Sequence, residues 1–281
     1  MTAPDTALDG ERLRTHLAAP NGPYAAVEVV DSTGSTNADL RDAAARGAAD
    51  LTVRIAGEQT AGAGRHSRTW TSPAGCGVYL SVLLRPAGVP VRNLSSIALV
   101  AGLAVLDVAR EAGVSAHLKW PNDVLVGDAE AEAKCAGILS EMVPEADPAH
   151  PATVLGIGVN VHPVPDVTPG PGALPATSLD EHGARVTDRT EVAITLLRAL
   201  ADRERRWRVS SGDIDDAGMH SEYRMHCRTL GEPVEVTLPD GAVLTGRAGD
   251  VDPIGQLLVD SADGTRHTVV AGDVVHVRRR T

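Results

Sequence analysis

Aromatic side chains are nearly absent from this 281-residue chain, which has three Trp, three Tyr and no Phe. Its core must therefore be built from Ala, Val, Leu and Ile. The 43% hydrophobic content supplies that core without a metal or disulfide framework. Cysteine is equally scarce. Cys76, Cys135 and Cys227 are odd in number, scattered and without CxxC spacing, which removes zinc sites and disulfide scaffolds. Positive charge is short as well: 26 Lys and Arg against 37 Asp and Glu leave a net charge of −11. A whole-surface nucleic-acid binder needs the opposite sign, so any anionic ligand must meet a local cluster of cations. The longest apolar run, residues 97–106, falls short of the roughly 18 residues of a membrane helix. With early acids and no apolar core, MTAPDTALDGERL is not expected to act as a secretory leader. The expectation is a cytoplasmic protein with one large domain, or one large and one small.

Strand-like and helix-like segments alternate along most of the chain. Asp9, Leu13 and Leu17 outline a short helix ending near Pro20, and residues 27–31 form a β-branched strand. Ser35-Thr36-Asn37 opens a second helix, with Leu40 and Ala44 inward and Gly47 as its stop. Strands are expected at 51–56 and 78–84, around a loop rich in Gly, Arg and Thr. The clearest apolar helix spans 93–112, where Leu94, Ile97, Ala101, Val105 and Val108 recur at helical spacing before Gly113. Further strands are expected at 118–126, 136–142 and 154–161, followed by a Pro-rich surface loop over 162–175. Asp188 and Glu191 have the spacing of a capping box. The helix they start carries Val192, Leu196, Leu197, Leu200 and Trp207 and ends before Ser210. Beyond Cys227 come about five short strands with turns such as Pro239-Asp240-Gly241, the pattern of a small all-β barrel or sandwich.

Five segments carry chemistry-bearing residues, and each also has an ordinary structural reading. In Gln59-Thr60-Ala61-Gly62-Ala63-Gly64-Arg65-His66-Ser67-Arg68-Thr69-Trp70, two glycines admit close backbone approach. Arg65 and Arg68 offer planar forks for phosphate or carboxylate, and Trp70 offers a stacking face. The alternative is a hairpin loop with solvated arginines. The segment is neither a dinucleotide fingerprint, for want of the third glycine, nor a phosphate-binding GxxxxGK[ST] loop. Lys119-Trp120-Pro121-Asn122-Asp123 packs a cation, a ring, an amide and a carboxylate into a strand-to-turn corner. Pro-Asn-Asp is also ordinary turn chemistry. Lys134-Cys135-Ala136-Gly137-Ile138-Leu139 brings a lysine into an apolar strand, with Gly137 where backbone can touch a ligand, or else a lysine at a solvated strand end. In Gly156-Ile157-Gly158-Val159-Asn160-Val161, an asparagine in an otherwise apolar strand must find partners in a turn or a ligand. Gly34-Ser35-Thr36-Asn37 either caps its helix or holds a ligand carbonyl or ureido group at the helix N-terminus.

Taken in this order, the segments resemble the biotin–protein ligase family, whose pattern runs GSTN, QT-x-G-R-G-R-x-x-R-x-W, KWPND, K-x-AGIL and G-x-G-x-N. The resemblance covers about residues 27–161, and the C-terminal β module is similar to the family's SH3-like domain. It implies an α+β fold, a mixed sheet flanked by helices over residues 1–226, with a small SH3-like β-barrel over 227–281. The stretch before the first strand is too short for the DNA-binding winged helix of some members, so a ligase-only form is expected. The implied reaction joins biotin to ATP as biotinyl-AMP, then transfers biotin to a lysine of a carboxyl carrier protein. Neither step needs a protein nucleophile, and catalysis rests on positioning and charge. By motif position, Ser35, Thr36, Asn37, Gln59, Gly62, Ala63, Gly64 and Gly137 are expected around biotin. Arg65 and Lys134 are expected on the carboxylate and α-phosphate. Arg68, Asn122 and Asn160 are expected on ribose and phosphates, with Trp70 near adenine. Asp123 is expected to support Mg²⁺ or the incoming amine. Mg²⁺ itself is expected with ATP, held by phosphate oxygens and no dedicated protein ligands.

Two departures stand out. Ala63 occupies the position where the family has the first arginine of G-R-G-R, which removes a cation from the loop. Residues 127–133 form an acidic insert with Asp128, Glu130 and Glu132, read as a lengthened hairpin. Two rivals remain at this point: a lipoate or octanoate ligase or transferase of the same fold, and a non-catalytic protein that retains the adenylate. A monomer or weak homodimer, free of DNA and membrane, completes the expectation.

Overall fold

The computed structural model describes residues 7–65, 68–128, 131–145, 151–165, 174–238, 241–270 and 273–276. Its larger sheet has seven strands: β1 (Ala26–Thr33), β2 (Thr52–Gln59), β3 (Gly77–Leu84), β4 (Ala116–Lys119), β5 (Asp123–Val126), β6 (Ala133–Val143) and β7 (Ala152–Asn160). Their order is β1-β2-β3-β7-β6-β5-β4, parallel between β1 and β2 and antiparallel elsewhere. The central strands β3 and β7 are buried at every position. Such strands need cover on both faces. On one face Val78, Leu80, Val82, Leu155, Ile157 and Val159 meet α1 (Gly10–Leu17), α3 (Ile97–Ala112) and α4 (Arg189–Val209) in the main core. On the other, Leu40 and Ala44 of α2 (Thr36–Ala45) cover Leu83, Val143, Ala152 and Val154.

The apolar helix begins as a 3₁₀ turn over Val91–Ser96 and becomes α-helical only at Ile97. Val91–Ala112 has the length and hydropathy of a membrane span. It is nonetheless the core helix, buried along most of its length against α4 and the sheet. Gly113 ends it in the left-handed region at φ 80°, where glycine carries no steric penalty. Asp188 caps α4 by accepting from the Thr190 and Glu191 amides. The expected capping box is only half formed, because the Glu191 carboxylate engages Arg12 of α1 instead.

A single strand over 118–126 is corrected to the hairpin β4–β5. Pro121 has no N–H for the ladder, and the chain reverses at Trp120-Pro121-Asn122 so that Lys119 pairs with Asp123. The short helix α5 (His220–His226) carried no expectation, since at seven residues it shows too little periodicity. The second sheet holds β8 (Pro233–Thr237), β9 (Val243–Val251), β10 (Leu257–Asp260), β11 (Arg266–Val269) and β12 (Asp273–His276), in the order β11-β10-β9-β8-β12, all antiparallel. Residues 239 and 240 of the expected turn, and 166–173 of the Pro-rich loop, lie outside the described residues.

The β4–β5 corner seats this small sheet. Trp120 is buried, donates its indole N–H to the Gly255 carbonyl at 2.9 Å, and donates its backbone N–H to Thr229 Oγ1 at 3.0 Å. The Arg228 amide donates to the Leu118 carbonyl at 2.8 Å. Gly255, at φ 88°, lies against Ser96 and Leu99 where any side chain would crowd α3.

Arg203 ties three helices together. From α4 it reaches Asp107 of α3 at 2.7 Å and Glu222 of α5 at 2.9 Å, with its side chain only 7% exposed. The bond from Arg203 holds the Glu222 carboxyl below its ordinary pKa. A depressed carboxylate contributes stability above its unfolded pKa and loses it as pH falls through the folded one. Arg203→Ala should therefore cost about 3 kcal/mol at neutral pH. The gap to the unaltered chain should close on acidification below the usual carboxylate range. Urea unfolding at a series of pH values reads both; a gap independent of pH would contradict the ion-pair account.

Candidate active site

One face of β6 and β7 is bared by glycines where the cavity lies. Gly158 of β7 stands opposite Gly137 of β6, and Gly156 stands opposite Leu139. These positions alternate with the inward-facing Ile157 and Val159, so the glycines fall on the α2 face. The result is a trough of ≈ 620 Å³ bounded by the α2 N-terminus, the loop after β2, the β4–β5 corner and β12. Its floor is filled to contact. A methyl on Gly156 would overlap the Asn37 side-chain oxygen, and one on Gly158 would overlap the Trp70 indole nitrogen. A methyl on Gly137 would lie 3.1 Å from both Trp70 and the Lys134 stem.

At the end under α2 the groups are polar and uncharged. Ser35 is the N-cap of α2 but makes no side-chain capping bond. Thr36 and Asn37 are buried. Gln59 Oε1 accepts from the Thr36 amide at 2.9 Å and lies 3.0 Å from Thr36 Oγ1. Only an oxygen can accept from that amide, which fixes the Gln59 orientation and leaves Nε2 to donate to Ser72 Oγ at 2.9 Å. Ser81, fully buried on β3, stands between Thr36 Oγ1 at 2.7 Å and Asn37 Oδ1 at 2.5 Å.

At the other end the groups are cationic. Lys134 Nζ pairs with Asp123 Oδ1 at 2.6 Å and lies 5.2 Å from the Trp70 ring centroid. This is an ion pair and a cation–π contact on one ammonium. Arg65 and Arg68 line the same trough from a tight hairpin, in which the Gly64 amide donates to the Arg68 carbonyl at 2.7 Å and the Trp70 amide to the Gly62 carbonyl at 2.9 Å. Cys135 beside Lys134 is buried, and burial pushes its thiol up to about 12. It therefore carries no thiolate to act as a nucleophile.

The structure brings together Ser35, Thr36, Asn37, Gln59, Ala63, Gly64, Arg65, Arg68, Trp70, Asn122, Asp123, Lys134, Gly137 and Asn160 around the trough. Gly62 is the exception. It is buried under the Trp70 carbonyl, and its lack of a side chain serves the hairpin rather than the cavity. Asn122 spends its amide on the Ile138 carbonyl at 2.8 Å, which ties the corner to β6. Asn160 Nδ2 donates to the Thr177 carbonyl at 2.9 Å, while its Oδ1 is buried without a partner among the described residues. The Asp123 carboxylate faces Lys134 as its counter-ion. Trp120, expected among ligand motifs, is instead the plug of the small sheet. Of the acidic insert, residues 129 and 130 lie outside the described residues, and Glu132 is buried beside Arg228.

Several residues at or behind the cavity went unforeseen. Ser81 had a signal, as the lone polar residue in Val78–Leu84, comparable to Asn160 in its own strand. Glu141 and Ser72 had none, since charged and hydroxyl residues near strand ends are ordinary. Val274 and Val275 reach the cavity only through tertiary packing, with the Val274 carbonyl accepting from Lys119 Nζ at 2.7 Å.

Comparison with known proteins gives the same frame. Residues 27–160 match the biotin/lipoate A/B protein ligase family, and residues 229–277 match the biotin protein ligase C-terminal domain. The chain is 42% identical to the biotin–[acetyl-CoA-carboxylase] ligase of Mycobacterium tuberculosis over 96% of both chains. It is 31% identical to the bifunctional ligase/repressor BirA of Bacillus subtilis over 84% of this chain and 70% of that one. Among solved structures, the biotin protein ligase of Aquifex aeolicus in complex with biotin and ATP superposes with a TM-score of 0.72 at 26% identity, covering 91% of this chain and all of that one. The chain thus belongs to the biotin/lipoate A/B protein ligase family and carries the family's biotin protein ligase C-terminal domain.

Proposed function

We propose that the chain is an ATP-dependent biotin–protein ligase, acting on a lysine of a biotin carboxyl carrier protein. One observation carries the reading: a single trough joins a neutral hydrogen-bonding end to a cationic end. Biotin has that polarity, with a ureido ring at one end and a carboxylate at the other. Thr36, Asn37, Gln59 and Ser81 suit the ureido group, with Ser35, Ala63, Gly64 and Gly137 around the ring. Lipoate and octanoate bring no polar group to that end. A site built from buried hydrogen-bonding groups discriminates against an analogue that lacks their partners.

In the first step a biotin carboxylate oxygen attacks the α-phosphorus of ATP, and the bond to the leaving pyrophosphate breaks. Lys134 and Arg65 neutralise the charge that gathers on the α-phosphate oxygens. Asp123 holds the Lys134 ammonium in place, a narrower role than support for Mg²⁺ or the amine. Arg68, Asn160 and Asn122 face the nucleotide, and the orphan Asn160 oxygen suits a nucleotide N–H or hydroxyl donor. In the second step the carrier lysine amine attacks the acyl carbon and AMP leaves. The side chains supply orientation and fixed charge throughout. Mg²⁺ would arrive on the triphosphate oxygens. We place the boundary between the catalytic unit and the small sheet at residues 226 and 227. The cytoplasm is the compartment the reading assigns, without DNA or membrane as partners.

Pyrophosphate release on mixing with biotin and MgATP tests the activity, and lipoate in place of biotin tests the substrate. Release with biotin and not lipoate is expected; none with either would leave only a binding role. Lys134→Ala should lower adenylate formation by about 100-fold or more, and near-normal turnover would show the lysine misassigned.

Ala63 pairs with Thr69 across the loop hairpin and is exposed at the trough. The family's arginine there would add a charge-assisted bond to the adenylate. Ala63→Arg should slow adenylate dissociation by about tenfold. Stopped-flow displacement measures this, and an unchanged rate would remove Ala63 from the account of ligand retention.

A further inference from the structure

The neutral end of the trough is short of protons. Three oxygen–oxygen contacts run in series: Gln59 Oε1 to Thr36 Oγ1, Thr36 Oγ1 to Ser81 Oγ, and Ser81 Oγ to Asn37 Oδ1. Both ends of the series are amide oxygens, which have no proton to give. Only the two hydroxyls carry protons, so one of the three contacts is always without one. A ligand that donates relieves the deficit; a ligand that accepts deepens it.

This polarity depends on Asn37 presenting its oxygen. Ser81 does not enforce that, because a hydroxyl serves an amide oxygen as donor or an amide nitrogen as acceptor equally well. The constraint comes from outside the cavity. Glu141 Oε2 lies 2.6 Å from Asn37 Nδ2, and an ionised carboxylate accepts only. Arg41 holds the other oxygen, Oε1, at 2.5 Å and keeps the carboxylate aimed. The Leu139 carbonyl is a weaker second acceptor for the same nitrogen at 3.3 Å. A flipped Asn37 would set its oxygen against the Glu141 carboxylate.

We propose that Glu141 is a specificity-setting positioning residue: by pinning the Asn37 amide nitrogen it makes the ureido end of the trough selective for N–H donors. This rests on the biotin reading above and adds the residue that imposes the polarity. A ureido group brings two N–H donors, and the deficit lies where they would arrive.

The test compares biotin with its cyclic carbonate counterpart, in which both ureido N–H groups are replaced by ring oxygens. Shape is kept while donors become acceptors. Competition calorimetry should give the unaltered chain a preference for biotin of about 100-fold. Glu141→Gln removes the acceptor-only partner, since a glutamine amide pairs with either orientation of Asn37. The preference should then shrink by about tenfold, with the KM for biotin raised and the KM for ATP unchanged. Ser81→Ala is the control of opposite sign: it removes two of the three contacts and leaves the pinned Asn37 oxygen with no donor of its own, so the preference for a donating ligand should hold or rise. An undiminished preference in Glu141→Gln, or a loss in Ser81→Ala as large as that in Glu141→Gln, overturns the positioning role. Should Glu141→Gln fail to fold, the Ser81→Ala result decides alone, a fall in preference counting against the proposal. Equal binding of biotin and carbonate by the unaltered chain overturns the biotin reading itself.

Discussion

The site exists because β6 and β7, neighbours in the larger sheet, carry glycine at three positions on one face. Gly137, Gly156 and Gly158 lie on adjacent strands in register. Everything else is arranged over that bare patch. α2 is bound to the same face further along by Leu40 and Ala44, so its N-terminus projects over Gly156 and delivers Asn37. The hairpin after β2 lays Trp70 over Gly158 and Gly137, and Lys134 reaches the same ring from the start of β6. A Cβ on Gly156 would displace the Asn37 side chain and one on Gly158 the Trp70 ring, not just narrow a pocket.

The β4–β5 corner links this trough to the second sheet. Within a few residues, Asp123 faces the Lys134 ammonium, Asn122 bonds β6, Lys119 bonds the Val274 carbonyl, and Trp120 turns away into the small sheet. The first half of the hairpin turn thus bonds the neighbouring sheet and the second half the cavity wall. The position of β12 at the cavity rim and the position of the Lys134 counter-ion are set by the same short turn.

Much of this was legible in the residues, and the failures share a cause. Helix periodicity and capping located α1, α2 and α4, because those signals are local. The five segments converged on one trough because each carried residue types that are costly to bury or strain without purpose. What escaped was information held by contact across elements. Ser81 and Glu141 acquire meaning only when β3 and β6 flank α2, and Glu191 left its capping role because α1 brought Arg12 beside it. The single strand expected over 118–126 failed where Pro121 broke the ladder, a local signal outweighed by the apolar run on either side. Gly62 was misjudged because a glycine required by a hairpin and one required by a ligand look alike in sequence.

The acidic balance of the chain also finds its place. With a net charge of −11, cations aimed at an anionic substrate would be drawn to the many surrounding carboxylates. In the trough, the lysines are held against that pull. Lys134 has a dedicated carboxylate at 2.6 Å and an aromatic face, and Lys119 has a main-chain carbonyl on β12. The pairing lowers the net charge of the site but fixes the direction of each ammonium. For a reaction driven by positioning, direction matters more than total charge, because a misplaced cation stabilises ground state and transition state alike. The neutral end follows the same logic with hydrogen bonds: Glu141 and Arg41, outside the cavity, hold charge that never touches the ligand but sets which way Asn37 faces.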